Sequence, residues 1–534
     1  MSREASGLTW WTALGSFAIG GLLCVFNILV IFRTGVAFGG SALVVLLGAT
    51  WLRARSELNW HRLFVIFSVA SSGYLAAAAV DSGVAARHLH TGHVPPWPAL
   101  VLLSLLAAAF GLVLGAPLGR LFGRTDPAYP TLRPAIALME AVSRSGRTSS
   151  RPLLVSGAAG AAVTLAALPL GGDATVHLPG LPPYLGLAVS PMLLGVGVLA
   201  GARATAWLLV GSLYSVVLWG VRDGGRGYEV HLSDPWVLAV GIGIIVGHSV
   251  AVLLKLARTV GGGLPRTGPE AAEGLGGPLR RLGLLAALST VLLVARYGVP
   301  HGLLLGALTS VMVVAFALFL AQVGAETGIA PLSPVIFLGI ILLRIAGLSA
   351  GDATVLGAAV AGAGISALYY TYALRMARTD LAAPPRRGTR LVLGSQAVGG
   401  LIGVTLGLLL IAVLLRSGVV GTDAFPAPLA RAFEFVADSA DGGGAGARAA
   451  GPPLLLSLPV GFALTFAPVS PSSLGLGMLL PPATVLVMAL GGAVARAVGR
   501  WAPERTELLT TVASGLVIGE GLVSTAAVAV RAFG

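Results

Sequence analysis

The sequence predicts an all-α polytopic membrane protein of about 14–16 transmembrane helices, built as two related halves with Gly/Pro-broken helices. Three observations lead there. Hydrophobic residues make up 56% of the 534-residue chain and charged residues only 10%, at a mean hydropathy of +0.90. A soluble domain carries about 25% charged residues. Apolar runs of spanning length recur along the whole chain. One phrase, VSPMLLGVGVL at 189–199, also returns as VSPSSLGLGML at 469–479, with seven of eleven positions identical.

A spanning helix needs roughly 20 mostly apolar residues. Segments of this kind fall near 10–32, 35–52, 63–80, 98–119, 152–170, 182–200, 204–220 and 236–256 in the first half of the chain. In the second half they fall near 282–296, 302–322, 332–348, 353–373, 391–415, 453–467, 474–495 and 508–530. Those at 182–200, 332–348 and 453–495 are short or interrupted by Gly and Pro, and are expected to include half-helices that enter without crossing. The opening MSREASGLTWWTALGSFAIGG runs straight into the first segment, with neither the short apolar region nor the small-residue cleavage site of a signal peptide. The single cysteine, Cys24, lies inside that segment and rules out intrachain disulfides and Cys-based metal sites.

The net charge of +13 is carried by one lysine and 33 arginines, concentrated between segments. Arg53, Arg55 and Arg62 form one cluster, and Arg120, Arg124, Arg133, Arg144, Arg147 and Arg151 a second. Lys255, Arg258, Arg266, Arg280 and Arg281 form a third, and Arg375, Arg378, Arg386, Arg387 and Arg390 a fourth. All fall in even-numbered loops, so the positive-inside rule places the N-terminus in the cytoplasm and the protein in the cytoplasmic membrane. This charge orients helices in a lipid bilayer and implies no nucleic acid partner. Arg496, Arg500 and Arg505 fall on the opposite side in a sixteen-helix count, so one segment between 320 and 495 is expected not to cross. The organisation read from these features is a first transmembrane half at 1–260, a cytoplasmic Gly/Pro-rich linker at 261–280 and a second half at 281–534. The polar stretch 417–452 is expected to form an extracytoplasmic loop with a short surface helix.

The Val-Ser-Pro phrase lies once in each half. A second echo, GIGIIVGHSV at 241–250 against SGLVIGEGLV at 514–523, pairs Gly243 with Gly515 and Gly247 with Gly519. Two ordered matches indicate an internal duplication. Proline has no amide donor and breaks a helix, and such breaks persist in a membrane where the freed backbone groups line a cavity. Ser-Pro also suits a helix start, with serine as N-cap and proline at the first helical position. Paired broken helices in duplicated halves point to a transporter's substrate site. Ser190, Pro191, Gly195, Ser470, Pro471 and Gly475 are therefore candidate substrate-binding residues, with the site expected between the halves.

An ionisable group inside a membrane segment is costly and is a functional candidate by default. The duplication places His248 and Glu520 at equivalent positions, and both are candidate proton carriers. Asn27, Tyr369 and Tyr370 are further substrate-site candidates, although Tyr369, Tyr370 and Tyr372 equally suit an interfacial aromatic belt. Arg344 and Asp352 suit boundary charges that snorkel to the interface. His88, His90 and His93 in HLHTGH are candidate ligands of a transition metal or its chelate.

Several stretches resemble the oligopeptide transporter superfamily, which includes oligopeptide carriers and yellow-stripe-like carriers of metal chelates. They are NILVIFRTGVAFGGSALVVLLG (27–48), SELNWHRLFVIFSVASSGYLAAA (56–78), PPYLGLAVSPMLLGVGVLAGARATAWLLVGSLYSVVLW (182–219), LGLGMLLPPATVLVMALGGAVAR (474–496) and LLTTVASGLVIGEGLV (508–523). The chain departs from the family in YPTLRPAIALMEAV (129–142), in YTYALRMARTDLAAPPRRG (370–388), and in Glu57, Asn59 and His61. The resemblance implies a secondary active transporter, a symporter that imports short peptides or metal chelates with protons by alternating access. It implies no cofactor and is compatible with a homodimer. An ATP-driven pump is disfavoured because no glycine-rich phosphate loop precedes the lone Lys255. A channel would need a repeated ring of filter groups, which two unequal halves do not supply. The alternative is a membrane-embedded hydrolase with Asp352 as catalytic acid.

Overall fold

A computed structural model describes residues 9–35, 41–72, 74–125, 151–168, 175–177, 186–222, 276–327, 332–380, 385–422, 425–439 and 445–533, with residue 330 and single residues within 132–139 and 237–254. The linker at 261–275 and the basic residues Arg133, Arg144, Arg147, Lys255, Arg258 and Arg266 lie outside the described residues.

The fold is all-α and polytopic, and ten of its described helices are long and apolar enough to cross a membrane. In chain order the helices are α1 (Trp10–Thr34), α2 (Ser41–Arg53), α3 (Trp60–Ser72), α4 (Tyr74–Thr91), α5 (Trp97–Thr125), α6 (Arg151–Ala167), α7 (Pro191–Arg222), α8 (Gly276–Tyr297) and α9 (Val299–Thr327). Then follow α10 (Leu332–Ile345), α11 (Ala350–Asp380), α12 (Pro385–Arg416), α13 (Pro428–Ser439), α14 (Ala445–Leu464), α15 (Pro471–Leu479), α16 (Pro482–Trp501) and α17 (Thr506–Phe533). Described residues within 239–251 are also helical.

Two expected segments change character. Within 182–200 the described residues open on a strand: Gly186–Ala188 pairs antiparallel with Thr175–His177 as a short hairpin, and the helix starts only at Pro191. That helix continues to Arg222 but breaks at Gly201, whose φ of 81° and ψ of 164° are open to glycine and strained for other residues. The short helix expected within 417–452 is α13, but Leu429, Phe433 and Val436 on it are buried rather than laid on a surface.

The chain divides into two compact units, and neither coincides with a sequence half. Unit 1 comprises Met1–Ile28, Gly39–Thr148 and Lys255–Leu410; unit 2 comprises Leu29–Phe38, Ser149–Leu254 and Ile411–Gly534.

Unit 1 is organised around α11, whose alanine- and glycine-rich sequence lets neighbours approach closely. Gly83 of α4 has its Cβ position filled by Thr354 and Ala358, and Gly111 and Gly115 of α5 sit on Ser366 and Tyr370. A buried polar seam joins α3 to α12. Ser68 Oγ and Ser395 Oγ are 2.6 Å apart, Gln396 Nε2 donates to the Ser68 carbonyl at 2.8 Å, and Ser72 Oγ donates to the Gln396 carbonyl at 2.6 Å.

Unit 2 repeats one packing pattern. Gly197 of α7 faces the Met488 carbonyl, and Gly477 of α15 faces that of Leu208. Gly211 meets the Leu474 carbonyl, and Gly491 meets that of Leu194. In each case the matching residues stand 280 positions apart, the spacing of the Val-Ser-Pro phrase. Gly195 lies on Ala513 and Val517, while Gly475 lies on Gly241 and Ile245, whose counterparts stand 272 apart. The helix α6 and its counterpart α14 follow suit: Gly160 meets Leu516, and Gly461 meets Ile244. The break also recurs. Position 481, the counterpart of Gly201, is a proline in extended backbone between α15 and α16. With nine residues, α15 is about 14 Å long and too short to cross.

Because no Cβ fits at these glycines, Gly197→Leu and its counterpart Gly477→Leu should both destabilise the protein. A cost of about 1–3 kcal/mol or more is expected for forced overpacking. Gly499→Ala, which meets open space in α16, should leave the thermal midpoint of the detergent-solubilised protein unchanged. Equal tolerance of all three would contradict the paired packing.

Candidate functional site

The candidate site lies in unit 2, where α7 begins. Pro191 occupies the first helical position after Ser190, so the amides of the first turn have no carbonyl of a preceding turn to bond. Ser190 is 5% exposed and caps this turn, its Oγ accepting from the Leu193 amide at 3.1 Å. The remaining donors converge on one carboxylate. Ser190 Oγ lies 2.8 Å from Glu520 Oε1 and 2.9 Å from Oε2, and its single proton serves one of them. The Met192 amide donates to Glu520 Oε2 at 2.8 Å. Arg33 Nη1 donates to Oε1 and completes an ion pair.

Each partner is placed by local structure. Glu520 is 2% exposed on α17, one residue beyond Gly519, whose contact with the Gly157 carbonyl holds α17 tight against α6. Arg33 stands in the last turn of α1 with its guanidinium 5.7 Å from the Phe425 ring centre. The Ala427 amide donates to the Phe32 carbonyl at 2.8 Å and fixes that turn against the segment before α13. The result is a receptor for one carboxylate. A hydroxyl, a helix-start amide and a guanidinium supply directional donors, and the helix dipole and the cation supply positive potential. Glu520 fills it.

The equivalent place in the second repeat is built differently. Ser470 precedes α15 without a side-chain cap, and its Oγ pairs with Ser473 Oγ at 2.9 Å. His248, the counterpart of Glu520, lies 2.9 Å through Nδ1 from Thr465 Oγ1. The sequence thus marks two equivalent helix starts, and the structure seats a carboxylate on one of them.

Other candidates fall elsewhere. Gly195 and Gly475 are packing positions against backbone. Asn27 is fully buried in unit 1, with Nδ2 donating to the Leu23 carbonyl at 3.1 Å. Tyr369 and Tyr370 are 6% and 0% exposed within the unit 1 bundle, so they form neither an interfacial belt nor an open surface. Tyr372 OH donates to the Gly324 carbonyl at 2.8 Å. The ring nitrogens of His88, His90 and His93 do not gather into one ligand set among the described residues.

Asp352 is no snorkelling boundary charge. It is partly buried in unit 1, paired with Arg87, accepting from Tyr297 OH at 2.8 Å and lying 3.5 Å from Arg296. This cluster forms part of the wall of an apolar cavity of about 310 Å³ lined chiefly by α5, α8, α9 and α11. Both carboxylate oxygens are engaged by cations and a phenol, an arrangement that holds charge rather than delivering a proton.

Sequence reasoning passed over two residues. Arg33 is a lone cation at the end of the first span, and the rule for intramembrane charges flags it. Asp81 lies one residue beyond the predicted 63–80 segment, whereas the structure extends that span to Thr91.

Breaking a buried ion pair by removing one partner costs about 3–5 kcal/mol. Glu520→Leu and Arg33→Leu should each lower the thermal midpoint of the purified protein, and the double variant should recover part of the loss. Additive losses would show that the two side chains do not act as a pair. No protein-family model matches the chain, and no curated protein matches it either.

Proposed function

We propose that this protein is a multi-pass secondary carrier that imports small carboxylate-bearing solutes across the cytoplasmic membrane, coupled to protons, by alternating access. The observation that carries the reading is the Glu520 carboxylate seated on the start of α7 between Ser190, Met192 and Arg33. A receptor of this form inside a unit of duplicated, broken helices is what a carrier uses to hold an anionic group. Glu520 acts as an internal stand-in, keeping the donors satisfied until a solute carboxylate replaces it. Short peptides and carboxylate-bearing metal chelates both present that group, in line with the resemblance to the oligopeptide transporter superfamily. The N-terminus is assigned to the cytoplasm from the arginine distribution. The stacking of Arg55 on Trp11 at 3.7 Å and near Trp51 at 5.3 Å fits an interfacial anchor at that end.

The test is uptake of a labelled tri- to pentapeptide mixture into proteoliposomes, with and without an inward proton gradient, alongside competition by ligands of matched size. Free-carboxylate peptides should compete at least tenfold better than their C-terminal amides, since a hydrogen bond to a charged group is worth about 1.5–3 kcal/mol. Equal competition would reject the carboxylate receptor. Uptake of ferric chelates alone would select the chelate class, and transport of neither would reject the carrier reading.

A further inference from the structure

Unit 1 contains a carboxyl group that the site in unit 2 does not use. Asp81 is 1% exposed, and its Oδ2 has no hydrogen-bond partner among the described residues. It lies ten residues before the end of the Trp60–Thr91 span. That is about 15 Å along the helix, half the thickness of a bilayer core.

The groups identified against it are small. Ala77 and Asp81 of α4 face Gly407 of α12, where a Cβ would come within 3.2 Å of Asp81 Oδ2. From α1 the facing titratable group is the Cys24 thiol, whose Sγ lies 3.8 Å from the Gly403 carbonyl. On the side facing α11, Gly83 meets Thr354 and Ala358. Ser82 is occupied, donating to the Ala78 carbonyl at 2.8 Å. The nearest charge along the same helix is Arg87, six residues further on and paired with Asp352 of α11.

We propose that Asp81 is a proton-binding site, taking up and releasing one proton as the bundle exposes it to water on one side and then the other. An ionised carboxylate in a dry interior costs several kcal/mol unless a cation accompanies it. A proton meets that need alone. A sodium ion would need a shell of oxygens, and Ala77, Gly407 and Cys24 do not provide one. The step is simple proton exchange, carboxylate plus proton giving the neutral acid, with no bond broken elsewhere. It deepens the carrier reading by assigning the coupling proton to Asp81, since the Glu520 charge is already met by Arg33 and two further donors.

The experiment is infrared difference spectroscopy of the full-length protein in nanodiscs, labelled with carbon-13 aspartate and titrated with pH. The carbonyl band of one buried protonated aspartic acid should appear in the wild type and in Glu520→Gln, and be lost in Asp81→Asn. Carbodiimide labelling of the wild type, mapped by mass spectrometry, needs no variant: Asp81 should be modified, and less so as pH rises. An unchanged band in Asp81→Asn, or no labelling of Asp81 at any pH, would overturn the assignment. In proteoliposomes, a gradient of one pH unit should drive about tenfold accumulation per coupled proton. Asp81→Asn should accumulate nothing beyond equilibrium while still exchanging solute. Retained accumulation would reject Asp81 and leave the carrier reading standing. No accumulation by the wild type would reject coupled transport, and the infrared band would still decide the proton site.

Discussion

A helix that starts in a buried part of a protein exposes amide donors where apolar neighbours offer no acceptor. The rest of unit 2 follows from that constraint at Pro191. The first turn needs an anion, and Glu520 supplies it. A carboxylate buried to 2% in turn needs a cation, and Arg33 supplies that. Arg33 reaches it because the last turn of α1 is tied to the segment before α13. Glu520 reaches it because glycines let α17 lie against α6 and α7 at backbone contact. Each step removes a polar group that would otherwise be orphaned.

The duplication gives this arrangement a counterpart that has diverged. The glycine contacts recur residue for residue, so the backbone scaffold is the same in both repeats. The polar groups are not. Glu520 faces a capped helix start and an arginine, whereas His248 pairs with Thr465. Packing between repeats tolerates no larger side chain at the glycines, while the polar position is free to change provided its hydrogen bonds are met.

Unit 1 holds two of its carboxyl groups in contrasting ways. Asp352 at a helix start is surrounded by Arg87, Arg296 and Tyr297 and lines an apolar cavity. Asp81, on the same helix as Arg87, faces small groups. The first arrangement surrounds a carboxylate with cations, and the second leaves Asp81 Oδ2 without a hydrogen-bond partner among the described residues.

The sequence by itself determined the all-α membrane class, most helix positions, the helix starts at Pro191 and Pro471, and the duplication. These follow from hydropathy and from proline and glycine, whose backbone chemistry acts locally. It also singled out Glu520 and Ser190 separately, as an intramembrane charge and a helix cap. Only the tertiary structure decided that these two meet, that Arg33 joins them, and that Ser470 and His248 make no equivalent carboxylate site. It also decided that Tyr369 and Tyr370 are buried, and that Asp352 and Asp81 differ so sharply. Partners hundreds of residues apart are chosen by packing geometry, and no local pattern of residues encodes which distant donor a buried carboxylate will find.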